Sequence, residues 1–293
     1  MKQIKYKDQL TIGVNTVIVL FEKKDVKYIG ISDKCETGND ILISVECSDA
    51  FFYSAIANSK ITMNDTVSED TVNNIVDEGS NDPVEFESVR KLFPEISLFQ
   101  LKDCPCENHI KEYAAINLIL LNGKNFLEFK TNTKKLIYEI ISDCEENVIQ
   151  YDDILTACTQ YNWKFCFLSL YRCIEPFFTI VWTQKMYEKC EKYKEEDDYG
   201  DFWEELKDIT KKNKESESFQ FMIEGGNEYK KNIYKLRNSI VHNKLEEQNH
   251  SLDYEKFDAD CWDEYVKETL NLIKSLYDNY TDQYNKLQEH IRK

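Results

Sequence analysis

Apolar and β-branched residues recur early in the chain as short runs, LTIGVNTVIVLF, VKYIGIS and DILISVEC, separated by polar stretches. Runs of this length predict strands, because branched side chains pack well on a pleated surface. INLILLNGKNFLEF sets Asn122-Gly123 between two further apolar runs. Asn and Gly accept the positive φ angles of a two-residue turn, so this pair predicts a β-hairpin. Residues 59–88 are acidic and polar and predict a solvated linker or a marginal helix.

From about residue 133 the spacing of apolar positions changes to that of helices. It predicts helices over 133–147, 152–190 with a break or bend at Pro176, 199–213, 227–243 and 257–290. In the last, Trp262, Val266, Leu270, Ile273, Tyr277, Tyr280, Tyr284 and Leu287 step by fours and threes, a seam expected to pack inside a bundle. The expected fold class is therefore α+β. A small N-terminal α/β domain with short strands covers 1–132, and an all-α helical bundle covers 133–293.

The length allows two domains with ordinary cores or one large one. The chain has 293 residues, 42% of them hydrophobic, and Gly (8) and Pro (4) are scarce, which favours helices over a turn-rich all-β fold. The net charge of −17 repels nucleic acid at long range, so any nucleic-acid contact must be local. Ten cysteines, several of them inside apolar runs such as KFCFLSLYRC, read as small buried hydrophobes. MKQIKYKDQL lacks the apolar core of a signal peptide, so the expected setting is reducing and cytoplasmic. The most apolar window, 163–182, is interrupted by Lys164, Arg172, Glu175 and Pro176. Central charges are costly in lipid, so it predicts a buried core helix and no membrane contact.

The chemistry concentrates in KLRNSIVHNK, residues 235–244. Gly225-Gly226 breaks the chain and Asn227 can cap the helix that follows. Tyr229, Ile233, Leu236 and Ile240 then form an apolar stripe. At about 100° per residue the opposite face carries Lys230, Lys231, Tyr234, Lys235, Arg237, Asn238, Val241 and His242. From 229 to 244 there are four Lys and one Arg and no acidic residue, a local reversal of sign. Val241 and Tyr234 lie in the middle of this polar face, which implies that something covers it.

RNSIVH resembles the signature of the HEPN superfamily, an Arg, a polar residue and a His near the end of a bundle helix, here Arg237, Asn238 and His242. FCFLSLYRCIEP is similar to an early core helix of those bundles, and the resemblance covers roughly 133–293. It implies a metal-independent ribonuclease with no cofactor, its motif paired with a second copy across a homodimer, in antiviral defence (abortive infection) or as a toxin. Other members keep only the fold, as binding or scaffold modules. By the same resemblance the first domain would be a sensor or regulator, and an antitoxin-like protein a possible partner.

Residue chemistry suits RNA cleavage. Histidine's pKa near 6.5 lets His242 accept or donate a proton at neutral pH. Arg237 can bind two phosphate oxygens, and Asn238 can orient the His or bind phosphate. Lys230, Lys231, Lys235 and Lys244 would guide the phosphate backbone. Glu175, in the most apolar helix, needs a partner; it is expected to pair with an Arg, and in the sharper version it tunes Arg237 or His242. CPCENH brings Cys104, Cys106 and His109 close together, but C-x-C is not the usual zinc spacing, so a loop with free thiols is expected and no metal site. His250 and His290 read as surface residues. No phosphate-binding or dinucleotide-binding glycine pattern and no G-x-S-x-G occurs. The competing reading is a non-catalytic helical module that binds a protein or dimerises; the −17 charge favours it, because nucleases usually carry a wider basic surface.

Overall fold

The computed structural model describes residues 5–12, 16–32, 35, 41–46, 95–102, 107–122, 127–180, 227–242 and 252–291. It divides into two compact units, Met1–Lys124 and Asn125–Lys293.

Among its described residues the first unit is an antiparallel sheet with one helix. Strands β1 (Lys5–Ile12), β2 (Thr16–Lys23), β3 (Val26–Ile31), β4 (Leu42–Ser44) and β5 (Ser97–Leu101) lie in the order β1-β2-β3-β5-β4. LTIGVNTVIVLF thus supplies the end of one strand and most of the next, and β1 runs back into the polar stretch from Lys5. Leu42–Ser44 realises the core of DILISVEC, and β5 is a strand that the residue pattern did not predict. Both faces of the central strands are buried. Ile18 and Leu20 alternate with Val19 and Phe21, all at or below 7% exposure. Val19, Phe21 and Leu98 gather Tyr6, Val17, Tyr28, Val45 and Ile96 on one side.

The expected hairpin at Asn122-Gly123 is overturned. Helix α1 (Ile110–Asn122) takes up the apolar run, and Asn122 ends it. The run is continuous instead of alternating, which periodicity cannot divide between buried strand and buried helix. Burial on every side decides for the helix: Tyr113, Ala114, Ala115, Ile116, Asn117 and Leu118 are all at or below 1% exposure. The two-residue hairpin instead joins β2 to β3 through Lys24 and Asp25, both with positive φ (53° and 63°). That is the turn Asn-Gly favours, made here without either residue.

The second unit is helical. Among the described residues its elements are α2 (Thr131–Asp143), α3 (Tyr151–Cys158), α4 (Trp163–Arg172), α5 (Glu228–His242), a 3-10 turn at Tyr254–Lys256 and α6 (Ala259–Ile291). The helix expected over 152–190 with a break or bend at Pro176 is broken there, between Arg172 and Glu175, and also between Cys158 and Trp163; 181–190 lie outside the described residues. Asn162 restarts the chain by accepting from the Lys164 N–H at 2.9 Å. Cys173 and Ile174 close α4, donating to Leu170 O and Tyr171 O. Pro176 then sits in the first helical turn that follows, where its missing N–H costs nothing. The expected helix 199–213 and the stretch 59–88 lie outside the described residues.

Helix α6 is the organiser. At about 1.5 Å per residue its length is about 50 Å, and it packs against α2, α4 and α5. Trp262, Val266, Leu270, Ile273, Tyr277 and Tyr284 are buried as the seam predicts, with Tyr265, Leu272 and Leu276 beside them; Tyr280 is only half-buried. Its side chains also cap other helices. Neither Lys130 nor Gln150, the residues before α2 and α3, makes a side-chain cap of its own. Asp263, 1% exposed, accepts from the Lys130 N–H (3.1 Å) and the Thr133 hydroxyl (2.9 Å). The Tyr277 hydroxyl accepts from the Gln150 N–H at 3.2 Å. Orphan donors at two helix starts are thereby satisfied from one distant helix.

Candidate functional site

Helix α5 carries the candidate chemistry. Asn227 caps it, its side-chain oxygen accepting from the Lys230 N–H at 2.9 Å, as the sequence predicts. Ile233 and Leu236 are fully buried, and Tyr229 meets the Tyr265 ring edge-on at 5.0 Å between centroids. Ile240 is only half-buried, and Ser239, 7% exposed, completes the inner face. Its hydroxyl donates to Lys235 O (2.8 Å) and accepts from the Leu252 N–H (2.9 Å), tying the last turn of the helix to the chain that leads into α6.

On the outer face Arg237 is held from three sides. One guanidinium nitrogen donates to the Asn238 side-chain oxygen at 3.0 Å. Another lies 3.5 Å from the Glu175 carboxylate. The guanidinium carbon stands 5.6 Å from the centre of the Tyr171 ring, within cation–π range. The Arg237 side chain is 17% exposed and that of Glu175 44%. A fixed, half-desolvated cation with its planar fork pre-oriented is what anion recognition requires.

The expectation that Glu175 pairs with an arginine matches this geometry, and the arginine is Arg237. Tyr171 was not singled out in the sequence. Only its place in an apolar helix, FCFLSLYR, hinted at it, and no local pattern joins residue 171 to residue 237. Asn238 contacts Arg237. His242 is the last residue of α5, one turn beyond Asn238; its side chain, and hence any approach to Glu175, lies outside the described residues. Lys231 and Lys235 are exposed, Lys230 and Tyr234 half-buried, and Lys244 outside the description. Val241, expected beneath a cover, is 49% exposed within the chain itself.

No family model matches the chain, and no curated protein or solved structure matches it either. The site has to be judged on its own geometry.

Two other candidates separate from it. Burial raises the thiol pKa of Cys144 to about 11 and that of Cys158 to about 12, and pushes Cys166 and Cys173 upward as well. Cys158, Cys166 and Cys173 are the small buried hydrophobes expected, whereas Cys144 is half-exposed and donates to the Asp278 carboxylate at 3.8 Å. Cys104 and Cys106 lie outside the described residues. His109 faces the Glu112 carboxylate at 3.9 Å, and among the described residues no group of three or more potential metal-ligating His, Cys, Asp or Glu side chains occurs. Among the described residues no helix is long and apolar enough to cross a membrane; α4 ends at Arg172, inside the most apolar window.

Proposed function

We propose that the helical unit is a metal-independent RNA endonuclease of HEPN type. In this reading it acts as a homodimer in antiviral defence (abortive infection) or as a toxin, with the N-terminal unit as its sensor or regulator. The observation that carries the reading is Arg237. It is a fixed, partly buried cation on the helix that also carries Asn238 and His242, in a segment free of acidic residues.

The chemistry needs few parts. The ribose 2′-hydroxyl attacks the adjacent phosphorus, the bond to the 5′-oxygen breaks, and a 2′,3′-cyclic phosphate and a 5′-hydroxyl remain. His242 moves the proton to or from oxygen, since imidazole titrates near neutral pH. Arg237 stabilises the charge that builds on the phosphoryl oxygens, and Asn238 holds the guanidinium in place. Lys230, Lys231, Lys235 and Lys244 neutralise flanking phosphates. Glu175 occupies one edge of Arg237, so an arriving phosphate competes with a carboxylate for the same N–H groups.

The test is RNA cleavage by the full chain with EDTA present and the ends mapped, comparing wild type with His242→Ala and Arg237→Lys. The reading expects cyclic-phosphate ends, their disappearance in His242→Ala, and a large loss in Arg237→Lys, which keeps the charge but not the fork. Equal cleavage by wild type and His242→Ala refutes it. A second reading draws on the same contacts. Arg237 already has Asn238, Glu175 and Tyr171 as companions, which suits a structural pin in a non-catalytic module that binds a protein or dimerises. In that case Arg237→Lys lowers stability, and no wild-type cleavage exists to lose.

A further inference from the structure

Among the described residues the exposed large hydrophobic side chains are Tyr161 (70%), Phe165 (58%) and Val241 (49%). Tyr161 stands two residues before α4 and Phe165 in its first turn. Lys164, between the two aromatics, stands 4.5 Å from the centre of the Tyr254 ring. The Tyr254 N–H bonds to Leu252 O, and the Leu252 N–H bonds to the Ser239 hydroxyl on α5. This chain of contacts leads from the first turn of α4 to the last turn of α5, where Val241 and the motif lie. Arg237, one turn earlier, touches Tyr171 and Glu175 at the other end of α4.

Charge singles out the same surface. No Asp or Glu occurs from 154 to 174 or from 229 to 244, in a chain of net charge −17. The carboxylates that reach this surface come from outside those stretches: Glu255 to Lys164 at 3.4 Å, Glu175 to Arg237 and Asp153 to Arg172. The Glu255 side chain is 73% exposed, so its pair with Lys164 is water-screened and yields readily to a phosphate.

We propose that Tyr161 and Phe165 form a base-stacking platform for single-stranded RNA, with Lys164 neutralising the phosphate between stacked bases. The inference rests on the ribonuclease reading only in choosing RNA as the polyanion. Exposed rings interleaved with a lysine fit a strand whose bases are free to stack, and sequence-independent stacking is how such strands are commonly held. A duplex hides its base faces. A second copy of this acidic chain also brings negative charge to Lys164, and the light-scattering measurement below separates it from RNA.

The experiment is fluorescence anisotropy in EDTA at low salt with the full chain. The probes are a short labelled oligouridine, the same length of abasic strand, and a duplex. The proteins are wild type, Tyr161→Ala, Phe165→Ala and Phe165→Trp, with circular dichroism confirming that each folds. Binding of oligouridine is expected to fall between about 5-fold and about 150-fold in the Ala variants, the range of one lost base stack. Phe165→Trp should retain it, and abasic binding should not change. Unaltered oligouridine affinity in both Ala variants overturns the platform, as does failure of the wild type to bind it. A change in mass by light scattering with RNA affinity intact also overturns it and makes the patch a self-association surface. His242→Ala is run alongside. Base-dependent binding without any wild-type cleavage supports the platform while the nuclease reading fails, so the two fail separately.

Discussion

Replacing Asp263 tests whether α6 really builds the start of α2. The carboxylate is 1% exposed and accepts from the Lys130 N–H and the Thr133 hydroxyl, 3.1 and 2.9 Å away. Hydrogen bonds to a charged acceptor contribute about 1.5–3 kcal/mol each, and a lost helix cap costs about 1 kcal/mol. Two bonds to one carboxylate do not add fully, and removing that carboxylate relieves its own desolvation. Asp263→Ala should therefore cost about 3 kcal/mol. Asp263→Asn keeps an acceptor for Lys130 and loses mainly the charge at the helix N-terminus, about 1 kcal/mol. The assay is urea unfolding followed by ellipticity at 222 nm. In a heat scan, Asp263→Ala should lower Tm by about 6–12 °C, taking about 2–4 °C per kcal/mol for a unit of this size. Thr133→Val supplies the second arm of a double-mutant cycle, and a coupling of about 1 kcal/mol is expected. If Asp263→Ala lies within about 0.5 kcal/mol of wild type, the capping argument is wrong.

Three further outcomes follow from single features. Asp25→Gly should stabilise the first unit by about 0.5–1 kcal/mol in urea, because glycine accepts the positive φ of 63° that costs another residue about 1–2 kcal/mol, partly offset by its freer unfolded chain; destabilisation would contradict the turn geometry. Cys158, Cys166 and Cys173, buried with raised thiol pKa values, should resist iodoacetamide at about pH 8 in the native chain and react once it unfolds, read by mass spectrometry. Asp8 accepts from the Lys111 ammonium at 2.7 Å, which holds its carboxyl below the ordinary 3.8. A depressed carboxyl stabilises the fold above its ordinary pKa and loses that contribution as pH falls through the folded value. Lys111→Ala should raise the Asp8 pKa in an NMR titration and make acid unfolding less steep below the ordinary carboxylate range; an unchanged titration would deny the pairing.

The placement of Arg237, Asn238 and His242 on one helix was legible because they lie within two turns, where spacing alone sets their neighbourhood. So were the Asn227 cap, the stripe through Ile233 and Leu236, and the seam of α6. Each depends on residues three or four apart, a distance at which helical geometry holds whatever else the chain does. The pairing of Glu175 with an arginine was expected from the cost of an unpaired carboxylate in an apolar helix. Which arginine it was, and the ring of Tyr171 beneath it, required the packing of α4 against α5.

The sequence by itself therefore determined the mixed class, the apolar faces of α5 and α6, and the local acid-free charge. All of these follow from side-chain type and from periods of two or about four residues. Only the tertiary structure decided the rest. It made INLILL a helix, because a continuous apolar run takes its form from what surrounds it. It put the two-residue turn at Lys24-Asp25, because strand register imposed positive φ where no glycine invited it. And it capped α2 and α3 with Asp263 and Tyr277, each over 120 residues away in the chain. A helix start needs an acceptor within about 3 Å, and folding supplies one from any segment it brings near.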